Sequence, residues 1–126
     1  MGAPAEYIDN SSVILTAAAD GSRQSRVPIG CDFVQVAAVA TDANDWIILP
    51  TGVSPGHKVR GWSTVAHEIR TEASSNLKIN DVDGDGSQEA AVAATTLWEA
   101  TYANATQGWI VVAWTELGAA LTLVTN

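Results

Sequence analysis

The constraint that most narrows the fold of this chain is the length and period of its apolar segments. Strand-sized runs recur along it, each closed by a cluster of turn residues. SSVILTAA ends at Asp20-Gly21-Ser22, and RVPIG leads into CDFVQVAAVA, where Phe33, Gln35 and Ala37 alternate with Val34, Val36 and Ala38. Side chains of a strand point to opposite faces with period two, so this pattern buries one face and leaves the other wet. DWIILP is a continuous apolar run stopped by Pro50, which cannot donate to a ladder, and TGVSPG supplies turn residues. In GHKVRGW, Lys58 and Arg60 fall on one side and Val59 and Gly61 on the other. HEIRT and NLKIN are expected as two further short strands, GWIVVAW alternates Trp109 and Val111 with Ile110 and Val112, and LTLVT closes the chain.

One segment invites a helix. QEAAVAATTLWEATY is rich in Ala, a strong helix former, but Thr95, Thr96, Thr101, Trp98 and Tyr102 prefer a pleated surface. Val92, Ala94, Thr96, Trp98, Ala100 and Tyr102 would share one face at period two, so a single strand is expected. Short strands at close spacing predict an all-β chain, a β-sandwich or jelly-roll-like single domain over residues 1–126, with the N-terminal residues free to form an extended arm.

Charge excludes one class of partner. Six Lys and Arg against 14 Asp and Glu give a net charge of −8, and no basic run tracks a phosphate backbone, so nucleic acid is not expected. With 47 % hydrophobic and only 16 % charged residues, the surface is built largely from small and uncharged polar side chains. Such a surface tolerates contact with other subunits. Neither a membrane span nor a signal peptide is read, since the apolar run 13–19 is short and follows acids without Lys or Arg. A soluble protein made in a cytoplasm is expected, which discounts the glycosylation sequons at Asn10 and Asn104. The single Cys31 is read as a small buried apolar residue.

The stretch NDVDGDGSQE, residues 80–89, opens like a calcium loop: Asp81, Asp83 and Asp85 take the first three ligand positions, Gly86 the sharp turn, Ser87 the carbonyl position and Glu89 the ninth. Val92 stands where the bidentate Glu should be, and LKIN reads as a strand where a helix is required. A solvated hairpin turn is the reading, with no metal and no cofactor. Catalytic patterns also fail at specific letters. Ser63 in GWSTV lacks the second Gly of a nucleophile elbow because Val65 replaces it, and His67-Glu68 lacks the second zinc-binding His because Thr71 replaces it. His57 and His67 are therefore read as structural polar residues, and no catalytic site is assigned. Of the five Trp, core packing is expected for most, while Trp62 and Trp114 lie near strand exits and are the candidates for exposure.

The order of these pieces resembles small virion proteins of tailed bacteriophages. The resemblance rests on ILPTG, the turn SPGHKV, the strand HEIRT, LKIND before a glycine-rich turn, AAVAATTLWEATY and a closing GW pair, and covers residues 45–114. It implies a β-sandwich or jelly-roll subunit that forms a homotrimer and binds the major capsid protein on the head surface, as a capsid decoration or cement protein of the virion. The same resemblance transfers no catalytic residue. The alternative it leaves is a tail-fibre or carbohydrate-binding β-module, and an enzyme ranks below both.

Overall fold

The computed structural model describes residues 12–20, 22–80 and 89–114. Among these the chain is all-β, as the alternation predicts: eight strands in two sheets, with two single-turn 3-10 segments at Arg23–Ser25 and Ala73–Ser75. The strands are β1 (Ser12–Ala17), β2 (Phe33–Val39), β3 (Trp46–Ile48), β4 (Lys58–Ser63), β5 (His67–Arg70), β6 (Glu89–Val92), β7 (Thr96–Asn104) and β8 (Gly108–Trp114). One sheet has the order β1-β2-β4-β7-β8, and the other β3-β5-β6. The inward faces of both feed one core, with Leu15, Val34, Val36, Val59, Trp98 and Trp109 from the larger sheet and Ile47, Ile69 and Val92 from the smaller.

Half of the pairings are parallel: β1 with β2, β2 with β4, and β3 with β5. Parallel neighbours need a crossover rather than a hairpin. For two of the three the chain supplies it by alternating between sheets, β3 being the crossover from β2 to β4 and β4 the crossover from β3 to β5, while β1 and β2 are joined through the 3-10 segment Arg23–Ser25. A jelly roll is built from antiparallel Greek keys, and the parallel pairs give this chain a different connectivity.

Three sequence readings change. The segment read as one long strand is two, β6 and β7, which belong to different sheets. Thr95 sits between them with φ 57, a left-handed conformation that a β-branched residue avoids, and Ala94 is exposed rather than sharing the buried face. NLKIN forms no strand: only Ile79 makes a bridge, parallel to Trp109. In β2 the alternation is shifted by a bulge, since Leu15 pairs with Val36 but Thr16 with Ala38; Val34 and Val36 are fully buried while Ala38 is exposed.

The closing GW pair has a steric cause. Asn104 turns the chain by accepting the N–H groups of Thr106 and Gln107 at 2.9 and 2.7 Å, and Gly108 follows with φ +72. A Cβ there would lie 2.2 Å from the carbonyl oxygen of Lys78, so only glycine lets residues 78–80 run along the β8 edge. Trp109 N–H donates to the Lys78 carbonyl at 2.9 Å, and Asn80 N–H to the Trp109 carbonyl at 2.8 Å. The Asn80 side chain then imitates one more strand residue, its Nδ2 donating to the Val111 carbonyl at 3.0 Å and its Oδ1 accepting the Val111 N–H at 2.7 Å. This explains the Asn of the LKIND motif, which caps an edge strand.

Asn80→Ala should therefore cost about 1–3 kcal/mol, because it strips both partners from Val111 and forces Ala into the left-handed region. Urea unfolding measures the loss, and amide exchange at Val111 should accelerate more than exchange at Val36. Unchanged protection at Val111 would show that the Asn80 amide does not cap the strand. Asp81, Asp83, Asp85, Gly86 and Ser87 lie outside the described residues, as do the first 11 residues and the LTLVT segment.

Candidate functional site

Two side chains that fail as separate motifs meet in space. β4 ends at Ser63 and β5 begins at His67, so the chain changes sheets between them and both side chains turn into the core. Ser63 Oγ and His67 Nε2 are 2.6 Å apart. His67 Nδ1 lies 2.9 Å from the Glu68 carbonyl, which fixes the tautomer: Nδ1–H donates to that carbonyl, leaving Nε2 to accept the Ser63 hydroxyl proton. Trp98 Nε1–H donates to Ser63 Oγ at 3.0 Å and completes the chain. Every polar atom of this network has a partner.

The pair has the composition of a nucleophile and its base, but its environment differs from that of an active site. Ser63 and Trp98 are 0 % exposed and His67 1 %, so no carbonyl substrate reaches Oγ without opening the core. The base has no carboxylate orienter, since its second nitrogen is held by a main-chain carbonyl. Burial pushes the His67 imidazole below its ordinary value, opposed by the hydrogen bond to Glu68. The neutral ring is the form that fits. Both residues are buried at strand ends, and what the sequence did not show is that they bond to each other.

His57 is half-buried and packs edge-on against Trp109, with ring centroids 6.3 Å apart. Its N–H closes the SPGH turn by donating to the Ser54 carbonyl at 3.1 Å, and its carbonyl accepts the Tyr102 N–H at 2.8 Å. Cys31 is buried, its thiol 3.2 Å from the Phe33 carbonyl, and burial raises the thiol further from its reactive form. Among the described residues no group of three His, Cys, Asp or Glu is placed to hold a metal ion.

The five Trp divide between core and surface. Trp98 and Trp109 are fully buried, and Trp46 is half-buried beneath the Arg70 guanidinium, 3.7 Å above its ring. Trp114 is 47 % exposed, as expected from its position at a strand exit, and Trp62 is half-buried.

Strand register brings these last two together on the outer face of the five-stranded sheet. Ile14 pairs with Gln35, Gln35 with Trp62, Trp62 with Leu97, and Leu97 with Trp114, forming one cross-strand row. A second row runs Ser12, Phe33, Arg60, Glu99, Val112, and a shorter third runs Lys58, Thr101, Ile110. Of the exposed large hydrophobics among the described residues, Ile14, Leu97, Ile110, Val112 and Trp114 all lie on this face, and only Ile29 lies elsewhere. Scattered exposed apolar residues need no explanation, but a contiguous set marks a contact surface. Alternation in β4, β7 and β8 separates the two faces of each strand; only burial and the pairing show which face is outer and that its residues align.

No protein-family model matches the chain, and a search of curated proteins finds no relative.

Proposed function

We propose that this chain is a bacteriophage capsid decoration protein, which binds the major capsid protein on the outer surface of the head as a homotrimer and stabilises the shell. The observation that carries this reading is the outer face of the five-stranded sheet, where Trp62, Leu97 and Trp114 are adjacent in one cross-strand row. A protein whose work is to bury surface against neighbours needs such a face. The resemblance of residues 45–114 to small tailed-phage virion proteins supports the same assignment, and a net charge of −8 opposes a role on nucleic acid.

Shells assembled from the major capsid protein test this directly. The protein should co-sediment with them and raise the temperature at which they rupture, and Trp114→Ala should weaken that binding by about 30-fold if it is a contact anchor. Shells that neither bind the protein nor gain stability from it would end this reading. A carbohydrate-binding module is the second reading, favoured by one observation: Trp62 and Trp114 flank Leu97 on a sheet face and could stack on sugar rings. Retention on a polysaccharide matrix, lost in Trp114→Ala, would select it.

A further inference from the structure

We infer that Ser63, His67 and Trp98 form a proton-sensitive latch between the two sheets, and that a proton on His67 opens the end of the fold where the chain changes sheets while the opposite end stays closed. Two sheet-to-sheet passages lie side by side there. Residues 64–66 carry β4 into β5 and residues 93–95 carry β6 into β7. Register joins them, since Ser63 pairs with Thr96 in the larger sheet and His67 with Val92 in the smaller. The hydrogen bond from Ser63 to His67 spans the two sheets, and Trp98 ties Ser63 back into the larger one.

The latch holds in one protonation state. Ser63 Oγ has a single proton, which goes to His67 Nε2, and it accepts the Trp98 Nε1–H. Once both ring nitrogens are donors, that hydroxyl proton has no acceptor and a charged ring stands in the core. The charges of the surrounding strands do not compensate it. Lys58, Arg60 and Glu99 alternate with the inward Val59, Gly61 and Trp98, and Glu68 bonds Arg70 on the other face of β5. Glu89 is in register with Arg70, and the Asp45 carboxylate accepts the N–H groups of Thr41 and Asp42. Neither β2 nor β3 carries a charged residue.

Opening stays local because the two ends are built differently. At the latch end Thr64, Ala93, Ala94 and Thr95 are exposed, and Thr95 holds φ 57, a strain that opening releases. At the other end of β4 and β7, the Tyr102 N–H donates to the His57 carbonyl at 2.8 Å and the Gly56 N–H to the Tyr102 carbonyl at 2.7 Å, while residues 78–80 bond along β8. Those are main-chain bonds, which a proton on His67 does not touch. Trp62 and Leu97 adjoin Ser63 and Thr96 and pair on the outer face, so the latch also supports that row from beneath.

Amide exchange on the folded protein at pH 7 and pH 5 tests this, read as opening constants so that the pH dependence of intrinsic exchange cancels. The Thr64 N–H, bonded to the Val36 carbonyl, and the Glu68 N–H, bonded to the Asp45 carbonyl, report the latch end; the Tyr102 and Asn80 N–H groups report the other. Opening constants at Thr64 and Glu68 should rise about 10-fold or more, because each pH unit of linkage is worth up to a factor of about ten. Those at Tyr102 and Asn80 should stay level. His67→Gln should remove the rise. Comparing the two ends within the parent keeps the test decisive even where that variant folds poorly, and opening at Thr64 should follow the titration of the His67 ring seen by NMR. The inference is overturned if acid opens both ends equally, if it opens neither, or if Thr64 and Glu68 in His67→Gln respond to acid as they do in the parent.

Discussion

Gly61→Ala should destabilise the protein by about 3–5 kcal/mol, a large share of the 5–15 kcal/mol that holds a typical domain folded. Gly61 pairs with Trp98 across β4 and β7 and lies on the inward face. A Cβ at Gly61 would sit 1.9 Å from Cε2 and 2.0 Å from Cζ2 of the Trp98 ring, far inside van der Waals contact. The ring cannot swing away cheaply, since it is fully buried and its Nε1–H is tied to Ser63. Overpacking alone costs about 1–3 kcal/mol, and losing the Trp98–Ser63 bond adds about 1–3 more. Denaturant unfolding of Gly61→Ala reads the total. Trp98→Leu in the same chain should recover part of it, because the two changes share one space and cannot add independently. A Gly61→Ala variant within about 1 kcal/mol of the parent would show that the core gives way around the ring.

That glycine marks the limit of what the sequence could tell. Alternation in KVRGW places Gly61 on the buried side beside Val59 and Ser63, and the burial pattern of β4 agrees. Nothing in the letters says that the residue opposite is a Trp whose ring lies across the strand. The two faces of β4 and β8 are legible because they depend on each segment's own period. Pairing is not local. The parallel partners β2 and β4 are joined through a strand of the other sheet, so hairpin reasoning could not find them. The break at Thr95 was hidden for a related reason: AAVAATTLW has no glycine or proline where the chain changes sheets, and a Thr carries the left-handed conformation instead.

Much the same holds for the candidate sites. Trp114 could be placed on the surface from its position near a strand end, and Ser63 and His67 could be flagged as polar residues without a complete motif. Their contact depends on a three-residue passage between sheets that turns both side chains inward, and neither spacing nor residue type encodes that. The outer row is similarly a product of register: Ile14, Trp62, Leu97 and Trp114 come from four strands, of which only β7 and β8 are joined by a short turn. Local chemistry was visible and its assembly was not.

Acid should destabilise this protein through His67 at a pH where most carboxylates are still ionised. An ordinary histidine in the unfolded chain takes up a proton near pH 6.5, whereas burial holds the folded His67 below that value. Between the two the unfolded state binds more protons, so stability rises with pH. The stabilisation is complete above about pH 6.5 and is lost as pH falls below it, by up to about 1.4 kcal/mol per unit until the folded ring itself titrates. Geometry gives the cause. Protonated His67 would donate from Nε2 as well as Nδ1, so Ser63 Oγ would have to accept from both His67 and Trp98 while its own hydroxyl proton lost its partner. Urea unfolding from pH 7.5 down to 5 should show the slope, and His67→Gln, which cannot take up the proton, should flatten it even though the variant starts less stable. The comparison is between slopes, so a general loss of stability in the variant does not obscure it. Equal slopes in parent and variant between pH 6.5 and 5 would mean that the buried ring carries no titration and that acid acts on the carboxylates alone.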